Sequence, residues 1–272
     1  MIYRELIQKH YANLTKSEKK VAEFCLQNTH TVVHGTMTDI KSSTEVGDAT
    51  IIRFCQKLGL TGFTDLKILA AKDDFSRQYI FEDESDYFSL LLNRHIMCLK
   101  KTLLTLDKTK IDDAIKMIKM AGHIYLYGVG SSGTTARDFE GILLRVGVKA
   151  NAVIDPHVQA HIASILGSDD LIIAFSLSGK TRDIYDAISI AKKSEVQIIV
   201  ITNFTHTPIA QLADIVLQTA IEEFIDGGSV AGKLSQLYIC DVLVHAYESQ
   251  NNVSSFEIRE KVLRSILNKR ID

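Results

Sequence analysis

Two stretches of this chain concentrate small hydroxyl residues and glycines in the way that anion binding requires. The first is Gly128-Val129-Gly130-Ser131-Ser132-Gly133, followed by Thr134 and Thr135. The second is Ser176-Leu177-Ser178-Gly179-Lys180-Thr181, set between the apolar run 171–175 (LIIAF) and a helical pattern of Ile184, Ala187, Ile188 and Ala191. A strand, a small-residue loop and a helix in that order make an anion cradle. The first N–H groups of a helix lack intrahelical partners and carry the positive end of its dipole. Hydroxyls of Ser132, Ser176, Ser178 and Thr181 add further donors.

Three readings of these loops compete. Gly128, Gly130 and Gly133 match the G-x-G-x-x-G of a dinucleotide-binding turn, and Asp155 stands where a ribose-binding acid belongs. That reading leaves the second loop without a role. Residues 174–181 (AFSLSGKT) fall one glycine short of a Walker A loop, but the next apolar run ends in Thr202-Asn203, where such enzymes need a magnesium-holding Asp. The third reading lets both loops grip one phosphate, with no metal or cofactor. A single serine here would be an ordinary helix cap; four such residues in two loops favour the third reading.

The elements that must position these loops follow from the pattern between 124 and 247. Short apolar runs at 124–128, 152–154, 171–175, 198–202 and 215–217 alternate with helical stretches at 134–145, 157–166, 181–193, 208–212 and 229–247. Such alternation predicts an α/β fold, a doubly wound five-stranded parallel sheet with ligands at the carboxyl ends of its strands. Before it, 87–106 and 112–120 read as amphipathic helices suited to a neighbouring domain or a dimer seam. A last helix is expected over 256–269.

Residues 1–72 read instead as an all-α domain of short helices. Thr15 and Glu18 form a capping-box pattern, and Thr36 marks a second helix start. A break at 45–47 separates two short helices, the second ending before Gly59. This is the helix-turn-helix arrangement, with Ile40, Val46, Ile51 and Phe54 as its core. Thr50, Arg53, Gln56 and Lys57 then point outward, where they suit base edges and phosphates. The acid-rich 73–86 reads as a hinge. Domain bounds are expected at 1–74 for the helical domain, 75–106 for hinge and linker helix, and 107–272 for the sheet domain.

Composition narrows the rest. No apolar run approaches the ~20 residues of a membrane span, and the first twenty residues lack a secretory core. Cys25, Cys55, Cys98 and Cys240 are scattered with no C-x-x-C, which argues against disulfides and zinc. A cytoplasmic protein is expected. The first 77 residues hold 11 Lys/Arg against 9 Asp/Glu and the remainder 20 against 24, a mildly basic front on an acidic body.

The residues themselves resemble a known family. GVGSSGTTARDFEGILLRVG with LIIAFSLSGKTRDIYDAISIAKKSEVQIIVITN is similar to the sugar isomerase (SIS) domain, and ATIIRFCQKLGLTGFTDLKILAAKD resembles the helix-turn-helix of RpiR-family regulators. The resemblance implies a bacterial transcriptional regulator, not an enzyme, that binds operator DNA as a homodimer or larger assembly. It would sense a phosphorylated amino sugar such as N-acetylmannosamine, N-acetylglucosamine or N-acetylmuramic acid 6-phosphate; a phosphosugar isomerase or lyase is the alternative. The phosphate grip is carried over to Ser132, Ser176, Ser178 and Thr181, with Ser131 and Gly133 beside it. His157 would meet a sugar hydroxyl; His161, one turn on, lacks a third metal ligand. Glu222, Glu223, Ser229 and Lys233 fall where SIS isomerases keep a catalytic acid and sugar contacts, with Glu223 a hydroxyl acceptor and Lys233 a partner for the ligand's charge. In the turn, Gly47 replaces a common serine, so Asp48 is expected to take over the capping; Lys41 and Glu45 replace a small residue and a glycine.

Overall fold

The computed structural model describes residues 3–78, 87–221, 230–250 and 252–267. They form two compact units, with the division falling after Tyr87.

The first unit is all α: α1 (Tyr3–His10), a 3-10 turn, α2 (Lys16–Gln27), α3 (Thr29–His34), α4 (Met37–Thr44), α5 (Asp48–Lys57) and α6 (Phe63–Gln78). Both expected helix starts are real. Thr15 and Glu18 close a full capping box on α2, and Thr36 and Asp39 close another on α4. Ile40, Val46, Ile51 and Phe54 are buried together with Val21, Cys25 and Leu66, so α4, its turn and α5 share one core with α2 and α6. The expected hinge at 73–86 is helical through Gln78, because the apolar positions of α6 carry the helix past Lys72; 79–86 lie outside the described residues.

The second unit begins with α7 (Tyr87–Thr105) and α8 (Lys108–Met120). Strands and helices then alternate as β1 (Ile124–Tyr127), α9 (Ser131–Arg145), β2 (Asn151–Val153), α10 (Pro156–Ala163), β3 (Leu171–Phe175), α11 (Arg182–Lys192), β4 (Gln197–Thr202), α12 (Pro208–Gln211) and β5 (Ile215–Gln218). Two helices close the chain, α13 (Val230–Ser249) and α14 (Asn252–Arg264). The strands pair in parallel in the order β2-β1-β3-β4-β5.

Alternate residues of each strand serve opposite cores. Leu126, Leu171, Ile173, Phe175 and Ile199 face Ile115, Phe139, Leu143 and Ile239 of α8, α9 and α13. Ile172, Ala174, Ile198 and Val200 face Ile184, Ile188 and Ile209 of α11 and α12, with Ala163 of α10. Burial on both faces is why β3 is apolar at all five positions. The strand order reverses between β1 and β3, so the loops after them diverge to opposite faces and leave a crevice at the sheet's carboxyl edge. Among the described residues no helix is long and apolar enough to cross a membrane.

Candidate functional site

The two hydroxyl-rich loops emerge side by side at that reversal. Tyr127 and Ala174 are register partners, so Gly128 and Phe175 continue adjacent strands into the crevice. In the first loop, a Cβ on Gly128 would lie 2.6 Å from the Ser132 carbonyl oxygen, and one on Gly133 would lie 3.1 Å from the Gly128 carbonyl oxygen. Strand and helix therefore approach backbone to backbone, which only glycine permits. Gly130 supplies the left-handed turn, φ +59, that starts α9. In the second loop Gly179 is also left-handed, φ +64, and its Cα faces Thr207 so closely that a Cβ would lie 2.1 Å from Thr207 Oγ1.

Helix capping separates these two loops from their neighbours. Within this unit α8, α10 and α12 are capped by the side chains of Asp107, Asp155 and Thr207, whereas α9 and α11 have no side-chain cap. No side chain takes up their first N–H groups, although the Gly133 N–H is given to the Val129 carbonyl at 3.3 Å. Ser176 is buried, with its Oγ 3.2 Å from Thr181 Oγ1, and the exposed Ser178 accepts the Lys180 N–H at 3.2 Å. Thr181 and Ser131 are half-buried. Ser132 is buried and its Oγ accepts an N–H from the Gln236 side chain at 3.2 Å. The arrangement offers hydroxyl and backbone donors from two loops to one anion.

The rival readings lose their key residues to structural duties. Asp155 accepts the N–H groups of Val158 and His157, which hold its carboxyl below the usual range despite slight desolvation, so it caps α10. Asn203 exchanges both ends of its amide with the backbone of Ile221, and Thr202 donates to the Leu177 carbonyl. His157 and His161 are exposed on α10. Lys233, in the first turn of α13, is ion-paired with Asp138 at 2.9 Å. Glu222, Glu223 and Ser229 lie outside the described residues.

Sequence reasoning passed over Gln159, which lies between the two histidines. It is fully buried and donates to the carbonyls of Gly128 and Val153 at 3.1 and 2.7 Å, clamping the ends of β1 and β2 under the first loop; the Tyr127 hydroxyl bonds its carbonyl in turn. A neutral amide in a helix carries no charge or period to announce it.

On α5, Arg53 and Gln56 are exposed and Thr50 is half-buried, with the Arg53 guanidinium 3.4 Å from the Thr50 hydroxyl. Lys57 behaves differently from these, since its ammonium turns back to the Asn13 carbonyl and to Glu18. The expectation that Asp48 caps α5 does not hold. Gly47 is the N-cap and offers no side chain, while Asp48, already inside the helix, pairs with Lys41 at 3.2 Å. Glu45 holds the left-handed position that ends α4.

Comparison with known proteins agrees with this anatomy. Residues 1–77 match the helix-turn-helix domain of the rpiR family and 117–246 match the SIS domain. An HTH-type transcriptional regulator of Haemophilus influenzae is 30% identical over 96% of this chain and 95% of its own length. The chain belongs to the RpiR family. A second relative, the HTH-type transcriptional regulator YbbH of Bacillus subtilis, is 28% identical over 98% of this chain and 97% of itself. Among solved structures, the Vibrio vulnificus NanR protein complexed with ManNAc-6P superposes with a TM-score of 0.80 at 26% identity, covering 98% of this chain and all of that one. As an RpiR-family member the chain is a transcriptional regulator with a DNA-binding helix-turn-helix and a SIS domain.

Proposed function

We propose that this regulator binds operator DNA through Thr50, Arg53 and Gln56 of α5, with Asp48 and Lys57 holding the two ends of that helix through Lys41 and Glu18, and senses a phosphorylated amino sugar in the crevice between β1 and β3. One observation carries the reading: among α8 to α12, the two helices that leave adjacent strands at the reversal are the ones without a side-chain cap, and each has a hydroxyl residue at its start, Ser131 in α9 and Thr181 as the N-cap of α11. In this reading Ser132, Ser176, Ser178 and Thr181 grip the phosphate, with Ser131 and Gly133 beside it. His157 and Glu223 meet sugar hydroxyls, and Lys233 exchanges part of its Asp138 pairing for the ligand's charge.

N-acetylmannosamine 6-phosphate is the first candidate, since the NanR relative is complexed with it; the N-acetylglucosamine and N-acetylmuramic acid 6-phosphates follow. A homodimer suits the two-fold symmetry of operators. Control of sugar catabolism genes, with no turnover, is the corresponding role. A thermal-shift screen of sugar phosphates tests it, since a ligand at 100-fold its Kd adds about 2.7 kcal/mol to stability. The true effector should also change the gel shift of a promoter fragment, and Ser176→Ala should weaken it about 10-fold. Conversion of a sugar phosphate by the purified protein would move the reading to an isomerase or lyase.

A further inference from the structure

Two successive residues of α13 face in different directions: Gln236 meets Ser132 and Thr135 of α9, while Ser235 donates to the Ala231 carbonyl and meets Cys98 of α7. Gln236 is fully buried. Its amide nitrogen donates to Ser132 Oγ at 3.2 Å, and its amide oxygen lies 3.2 Å from Thr135 Oγ1. Ser235, also fully buried, sits 2.7 Å from Cys98 Sγ of α7. Gly232, one turn earlier, lies against Leu177 of the second loop so closely that a Cβ would come 2.8 Å from Leu177 Cδ1. The first two turns of α13 therefore touch both phosphate loops and α7 at once.

The polarity of the Gln236 contact matters for anion binding. A hydroxyl has one proton and two acceptor sites. Because Gln236 donates to Ser132, the Ser132 proton is left to donate elsewhere. With the amide reversed, Ser132 would have to donate to Gln236 and present only lone pairs, which repel an anion. Thr135 Oγ1 also lies 3.3 Å from the Ser131 carbonyl oxygen, so its one proton is shared between that carbonyl and the amide oxygen.

The second contact leads out of the site. Along α7, Cys98 meets Ser235, Thr102 accepts the Ala220 N–H at 3.1 Å, and Thr105 donates to the Gln218 carbonyl at 2.6 Å. These contacts fasten α7 to α13 and to the segment after β5. In chain order α7 is the first element of this unit after the helix-turn-helix unit.

We propose that Gln236 is a positioning residue that polarises Ser132 for the phosphate, and that its neighbour Ser235 passes the liganded position of α13 to Cys98 and α7. This rests on the sugar-phosphate reading above. The two roles are separable, because one lies on each side of the same helix.

The experiment uses the full chain with N-acetylmannosamine 6-phosphate and, in parallel, the N-acetylglucosamine and N-acetylmuramic acid esters as probes. It measures binding calorimetrically and promoter affinity with and without probe. Gln236→Met, similar in size but unable to hydrogen-bond as an amide, is expected to weaken binding about 10-fold. Placed in a Ser132→Ala background it should add nothing further, since it acts through that hydroxyl; independent, additive losses would mark a packing role and overturn the proposal. Ser235→Ala is expected to bind the probe as the parent does while losing the probe's effect on promoter affinity. A full DNA response in Ser235→Ala overturns the coupling. Failure of the unmodified protein to bind any of the esters would instead sink the sensing reading itself, and this inference with it.

Discussion

The Lys57 ammonium lies 2.7 Å from the Glu18 carboxylate, 39 residues earlier in the chain. Glu18 also closes the capping box on α2 with Thr15, and its side chain is almost fully buried. One cation at the end of α5 thus fastens the second helix of the helix-turn-helix to α2. Arg53, on the open face of α5, has no such duty toward α2. Replacing Lys57 by Ala should cost about 1–3 kcal/mol, because it leaves a buried carboxylate short of a partner. Arg53→Ala should stay within about 0.5 kcal/mol while weakening promoter binding at fixed salt. Urea melts read beside gel shifts separate the two, and equal stability losses would contradict this division.

The same pair makes the helical unit sensitive to acid. Burial by itself raises the Glu18 carboxyl, but hydrogen bonds from Lys57 and from the Thr15 N–H outweigh it and hold it below the ordinary value. A carboxyl lowered in the folded state contributes stability above its unfolded value of about 4.3, and loses it as pH falls through the folded value. Glu18→Gln keeps the cap but removes the titration. It should flatten the fall in melting temperature between about pH 6 and about pH 3, as followed by circular dichroism. A parallel fall in both proteins would count against the assignment.

Glu45 occupies a left-handed conformation, φ 55 and ψ 36, where a side chain crowds the following carbonyl. Glycine removes that crowding. Glu45→Gly should stabilise the helix-turn-helix by up to about 1 kcal/mol and leave promoter binding intact. A lower melting temperature would mean that the Glu45 side chain contributes more than its backbone costs.

The two hydroxyl-rich loops should not tolerate even one methyl group at two positions. Gly128→Ala drives a Cβ into the Ser132 backbone, and Gly179→Ala combines a left-handed backbone with a collision against the buried Thr207. Strain of this kind costs on the order of 1–3 kcal/mol. Both variants should lose the sugar-phosphate thermal shift. Gly167→Ala, which meets open space, should keep it; a retained shift in the first two would refute the loop geometry.

All four cysteines are buried, and none is in a disulfide. Desolvation pushes the Cys25 and Cys55 thiols up to about 12, and the Cys240 thiol well above its ordinary value. Reaction needs the thiolate. A colorimetric thiol reagent at neutral pH should find almost none of the four in the native protein and all four in guanidinium, and rapid native labelling would contradict the burial.

Much of this molecule was legible from local pattern. The five strands lie within about a residue of the apolar runs that announced them, because a strand covered on both faces must be apolar throughout. Thr15 with Glu18 marked the start of α2 since a capping box is a contact three residues apart. The continuation of α6 through Gln78 was not legible, because the acidic run hid the helical period that its earlier turns sustain. The same limit applied to the site. Serines, threonines and glycines in two loops announced an anion cradle, but Gln159 and Gln236 carry no charge, repeat or turn signal, and only the fold shows them beneath it.

The sequence by itself therefore determined the order of elements and the two hydroxyl-rich loops, since each rests on hydrogen bonds and burial within a few residues. The tertiary structure alone decided that the strand order reverses between β1 and β3, that Lys57 faces Glu18, and that Gln236 reaches Ser132 from 104 residues away. Those contacts depend on how whole elements stack, and the pairing of one polar side chain with another across such a distance is fixed by packing geometry that no local pattern encodes.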